Sequence, residues 1–207
     1  MGTAYQKRPG PRTHACRVDT RVDASWRFAT IANVIRYRTL SAIVLGVWLG
    51  AGIFADFAVV QNFETVDRFL AAPGNVLAAA ELGKIGRDRE RVLLRRNAGE
   101  ENNFIFDNWE RAELVVGLAL LGLLAFGGPL DRLALGLTAA MLLVVAAQHF
   151  FLSPQVTDLG RRIADLPPKA PLNATFWTYH GIYSGIEILK LALGAGLAVR
   201  LSLRRNG

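Results

Sequence analysis

Cysteine occurs once in these 207 residues, at Cys16, and histidine only three times. A single cysteine excludes an internal disulfide framework and any cysteine-built metal cluster within one chain. Charge is thin as well, at 20% of residues, where a soluble domain carries about 25%. No glycine-rich phosphate loop, nucleophile elbow or HExxH run is present. A conventional soluble-type active site therefore has no support, and the chain is read as a non-enzyme.

What is abundant is apolar. Hydrophobic residues make up 52% of the chain and the mean hydropathy is +0.26. The charges are clumped into residues 1–38 and 62–111, between and around long apolar runs. Polar flanks around apolar runs are the pattern of an integral membrane protein. The net charge of +7 points in principle to nucleic acid. Here the basic residues border apolar runs, as membrane anchors do, and no nucleic-acid-binding motif accompanies them.

Four apolar stretches are long enough to cross a bilayer, which takes about 20 residues. They are residues 40–63 ("LSAIVLGVWLGAGIFADFAVVQNF"), 109–128, 132–152 and 176–199. The expected fold is an all-α membrane protein, a four-transmembrane-helix bundle with a polar helical connection over 64–108 between spans 1 and 2. Residues 39–207 form that domain. Residues 1–38 precede it as a basic N-terminal tail with an amphipathic helix over 19–38, and lack the apolar core of a secretory signal. In the connection, "NAGEENN" (97–103) reads as a turn. "GGPLD" (127–131) is a tight hairpin turn, and Pro154 ends or kinks the third span. Gly46 and Gly50 form a small-xxx-small pair suited to close helix approach.

Four spans put both termini on one side and the connections 64–108 and 154–172 on the other. Lys and Arg divide almost evenly between the sides. "IRYR" and "RLSLRR" border the spans directly and favour cytoplasmic termini in a multi-pass cell (inner) membrane protein.

The polar residues within the spans are not scattered. At about 1.5 Å per residue, Asp56, Glu110, Glu113, Gln148, His149, His180, Tyr183 and Glu187 all fall in the half nearest the connections. Lys190 lies near mid-depth, at about 15 Å. On the fourth span His180, Tyr183, Ser184, Glu187 and Lys190 share one helical stripe. Charged groups facing lipid are costly, so such faces turn inward. The expectation is an intramembrane polar pocket of Asp56, Glu110, Glu113, His149, His180, Tyr183, Glu187 and Lys190. Lys190 pairs with Glu187 three residues away or with Glu113 on the second span. His149 and His180, on different helices at similar depth, are the candidate metal or haem ligands. Trp109, Phe150, Phe151, Trp177 and Tyr179 read as an aromatic interface belt, and Trp48, deeper, as a packing residue.

Three stretches, "VWLGAGIFADFAVV", "QHFFLSPQVTDLGRRI" and "FWTYHGIYSGIEILKLALG", together resemble the bacterial domain-of-unknown-function 4149 family, related to eukaryotic transmembrane protein 205. The resemblance covers about 40–63 and 109–199. It implies a four-helix integral membrane protein and no established activity. The basic 1–38 tail and the charged 75–101 segment depart from the family pattern and suggest a partner.

Two functional expectations follow. The first is a structural or accessory component in the lipid bilayer, a subunit of a larger membrane complex. The second is a small-molecule, ion, metal or haem site in the polar pocket, associated with transport or redox chemistry.

Overall fold

The computed structural model describes residues 20–71, 80, 83–164 and 170–203, with side chains from residue 36 onward apart from that of Arg87. Residues 1–19, including Cys16, and most of 72–82 lie outside the described residues, as do the side chains of the amphipathic segment expected over 19–38.

Among the described residues the chain is all-helical, with four long helices. These are α1 (Thr20–Ala71), α2 (Arg87–Phe126), α3 (Arg132–Ile163) and α4 (Pro171–Leu203). Each packs against its neighbours in the chain, and α4 returns to α1 to close the ring. The diagonal pairs meet only through side chains. Two helices, α1 over Arg36–Ala71 and α3 over Arg132–Ile163, are long and apolar enough to cross a membrane.

The apolar core lies toward the end where α2 turns into α3. Leu45, Trp48, Leu120, Leu124, Met141, Val145 and Leu197 are buried there from all four helices. The turn is fixed from both sides. Gly127 closes α2 by donating its amide to the Leu123 carbonyl, and Asp131 caps α3 by accepting from the Ala134 amide at 3.3 Å. Asp131 also takes Arg200 Nε at 3.1 Å, tying α4 to the cap. The Tyr37 ring of α1 lies directly over Gly128, where any Cβ would collide with it.

Three expectations about local structure need correction. "NAGEENN" is not a turn: residues 97–103 are mid-helix in α2, which runs unbroken for 40 residues. Its asparagines would favour turns in isolation, yet they are taken up by neighbours. Asn102 accepts from Asn62 at 2.7 Å and donates to the Val59 carbonyl, and Asn103 accepts from Thr157. The connection 64–108 is thus largely absorbed into α1 and α2. At about 1.5 Å per residue α2 is ~60 Å long, twice a bilayer core. Its polar half extends past the apolar part of the bundle beside the ends of α1 and α3. There Arg95 meets Asp67 at 2.8 Å, and Arg161 grips Glu100 through two nitrogens at 2.7 and 2.6 Å.

Pro154 does not end α3 at 152. The helix passes through it by way of a π turn, Gln148–Leu152. Proline lacks the amide an α-helix needs and its ring crowds the carbonyl four residues back. Widening the preceding turn accommodates both.

Gly46 and Gly50 do not mediate close approach, since added Cβ atoms there would meet nothing within 4 Å. The close contacts fall at Gly117, under Trp48 and Leu142, and at Gly194, under Leu49. Helix rotation decides which glycines face a neighbour, and spacing alone does not encode it.

Candidate functional site: a buried acidic centre

α2 carries Glu110 and Glu113 three residues apart, and α4 carries Tyr183, Glu187 and Lys190 at spacings of four and three. Each set therefore lines one face. The bundle turns both faces inward. Glu110 and Glu113 are each 1% exposed, and Tyr183, Glu187 and Lys190 are buried.

α3 completes the site through its π turn. In a regular α-helix, residues five apart differ by about 140° around the axis. The π turn instead bonds the Ser153 amide to the Gln148 carbonyl, i to i+5, so both side chains face the interior. π turns of this kind recur at functional sites.

The side chains form two adjoining layers. In the inner layer Glu113 Oε1 accepts from Trp48 Nε1 at 2.8 Å and from Lys190 Nζ at 2.5 Å. Lys190 also reaches Glu187 Oε1 at 2.8 Å, and Gln148 Nε2 donates to Glu187 Oε2 at 2.9 Å. One chain of contacts thus links α1, α2, α4 and α3. In the outer layer Glu110 is the hub. Its Oε1 accepts from Tyr183 at 2.9 Å and from Ser153, and its Oε2 meets His149 Nδ1 at 3.1 Å. Phe106 packs edge-on against Tyr183 at 5.5 Å. Asp56 of α1 is half-buried and within electrostatic reach of Glu187 and Lys190.

Most of the expected pocket residues therefore meet. Lys190 makes both of the pairings the sequence offered. The two histidines do not act together. His149 binds Glu110, whereas His180 stacks on Phe176 at 5.7 Å and edge-on to Trp177. Among the described residues no three His, Cys, Asp or Glu side chains converge as a metal centre requires. Ser184, placed on the inward stripe by its spacing, is exposed and donates to the His180 carbonyl.

The aromatic set also divides. Phe150, Phe151 and Trp177 are exposed, whereas Trp109 packs over Gly52 and its buried indole nitrogen has no hydrogen-bond partner. Sequence reasoning missed Ser153 and the Trp48 bond. Ser153 stands four residues after His149, on the same α-helical face, and that spacing was the signal that could have found it.

The two ends of the site differ. Toward the connections a cavity of about 30 Å³ is lined by Asn103, Ser153, Thr157, His180 and Tyr183 and adjoins Glu110's partners. Toward the α2–α3 turn the apolar core closes the bundle. The chain matches no protein-family model, no curated protein and no solved structure.

Proposed function

We propose that this chain is a four-span integral membrane protein that serves as an accessory component of a larger membrane assembly. The reading keeps the likeness to the domain-of-unknown-function 4149 family, with the inner membrane as its place and the termini cytoplasmic. One observation carries it: the polarity of the bundle is inverted. Phe54 at 69%, Val115 at 68%, Leu143 at 72% and Ile188 at 68% exposure put large apolar side chains on the outside of all four helices. The buried charges of the apolar half, Glu110, Glu113, Glu187 and Lys190, are tied from helix to helix, whereas Arg111 pairs outside with Asp107 toward the connection end. Lipid makes that arrangement favourable, since intramembrane charges face the bundle interior and pair there. Polar side chains also join helices where no hydrophobic force drives them together.

The accessory role rests on the part that outruns the bilayer. The projecting half of α2 carries an open groove between Asn62, Glu100, Glu101, Phe104 and Ile105, with Phe104 70% exposed. An aromatic side chain beside the Glu101 carboxylate, with Glu100 already held by Arg161, suits a partner segment bearing basic and apolar residues.

Two measurements test this reading. With Cys16 replaced by serine, Leu130→Cys and Asp67→Cys should react with an impermeant thiol reagent from opposite faces of native membranes. Reaction from the same face would overturn the four-span topology. A photocrosslinker at position 104 should capture one distinct polypeptide. A chain that crosslinks only to lipid and runs alone on native gels would overturn the accessory role.

A further inference from the structure

The pairing of the buried charges leaves a remainder. Glu110, Glu113 and Glu187 are buried together, and Lys190 is the one cation buried with them among the described residues. His149 stands against Glu110, with Asp107 at 3.9 Å behind it. Even with His149 charged, Glu113 and Glu187 share a single lysine. Asp56 on α1 is only half-buried and is not counted with this layer. Tyr183 is neutral as a donor, and Gln148 brings no charge. The inner layer is therefore short of one positive charge, in surroundings where an uncompensated charge is strongly disfavoured.

A second observation, independent of the charges, marks the same place. Gln148 is fully buried; its amide nitrogen is spent on Glu187, and its Oε1 has no hydrogen-bond partner. Buried carbonyl oxygens are ordinarily satisfied, so an orphan one indicates a missing donor or cation. The missing charge and the missing partner thus fall on two residues in direct contact, Glu187 and Gln148.

From these two facts we infer that the inner layer binds one small monovalent cation, hydronium or sodium, beside Lys190, held by the Glu187 and Glu113 carboxylates and the Gln148 side-chain carbonyl. All three donors are oxygens, the ligands of hard cations. A deficit of one charge suits a monovalent ion rather than a divalent one. The ion enters from the connection end, where a cavity is lined by Ser153 and Tyr183, two of the donors to Glu110. It cannot leave through the opposite end, where Leu120, Met141, Val145 and Leu197 have no exposed surface. The inference rests on the inward-facing polar bundle, not on a partner protein.

The test uses the full chain in detergent. Its melting temperature is measured in sodium chloride and in choline chloride of equal ionic strength, at pH 8 and pH 5.5. Sodium binding gives a saturable rise of about 5 °C at pH 8, weaker at pH 5.5 where protons compete. Hydronium binding gives no sodium effect but a higher melting temperature at pH 5.5 than at pH 8 in choline. Either response should vanish in Glu187→Gln and in Gln148→Leu. Wild-type protein with neither response, or the same response in both variants, overturns the inference. A hydrophobic carbodiimide, which modifies protonated buried carboxyls, supplies a readout free of folding artefacts. Mass spectrometry of wild-type protein should find the label on Glu187 or Glu113, increasing at low pH and suppressed by sodium if sodium is the ligand. Melting that responds to cations while the label falls only on other carboxylates places the ion elsewhere and refutes this site.

Discussion

Lys190 of α4 and Glu113 of α2 lie across the diagonal of the bundle, and their side chains meet at 2.5 Å with 2% and 1% exposure. No backbone contact joins those two helices, so side chains alone link them, this ion pair and the Tyr183–Glu110 hydrogen bond. Removing one partner strands the other charge. Lys190→Met should therefore destabilise the bundle by about 3–5 kcal/mol. Lys190→Met with Glu113→Gln and Glu187→Gln should recover much of the loss. Unfolding in mixed detergent, followed by circular dichroism, reads both.

Glu110 holds α3 and α4 to α2 through three donors. Tyr183→Phe removes one of them and leaves Glu110 accepting from Ser153 and His149. The expected cost is about 1–2 kcal/mol. Glu110→Leu orphans all three donors and should cost more than Tyr183→Phe. Equal losses in the two variants would argue against Glu110 as a hub.

Gly117 sits where a Cβ would lie 2.5 Å from Leu142 Cδ2 and 2.7 Å from Trp48 Cη2. Gly117→Ala should push Trp48 off Glu113 and cost about 1–3 kcal/mol. Gly46→Ala and Gly50→Ala, with nothing within 4 Å, should not destabilise. A blue or red shift of the Trp48 emission in the first variant alone would report the displaced indole.

Outside the apolar bundle, the hydrogen bond from Arg161 holds the Glu100 carboxyl below its ordinary value of 4.5. A depressed carboxylate contributes stability above its unfolded value and loses it as pH falls through the lower, folded one. The contact is exposed, so its worth is under about 1 kcal/mol. A double-mutant cycle of Glu100→Ala and Arg161→Ala should show coupling at pH 7 that disappears well below pH 4.5. Coupling already lost at pH 4.5 would contradict this.

The sequence made the inward cluster legible because charge inside an apolar helix has few places to go. The i, i+3 and i, i+4 spacings of Glu110, Glu113, Tyr183, Glu187 and Lys190 put them on shared faces in advance. What was not legible is that Gln148 and Ser153, five residues apart, both face inward, because that depends on a π turn that changes the count from four residues to five. Trp109 was misread as an interface aromatic because its composition and position match one. Only the neighbouring helix, with Gly52 opposite, shows that it is half-buried.

By itself the sequence determined the helical class, the apolar runs and the gathering of polar residues toward one end. Those follow from local periodicity and from the cost of charge among apolar side chains. The tertiary structure decided which glycines touch, that "NAGEENN" stays helical, and that Lys190 serves two carboxylates at once. It also decided that the Gln148 carbonyl is left without a donor. These depend on the rotation and height of each helix against its neighbours, quantities that no single segment carries.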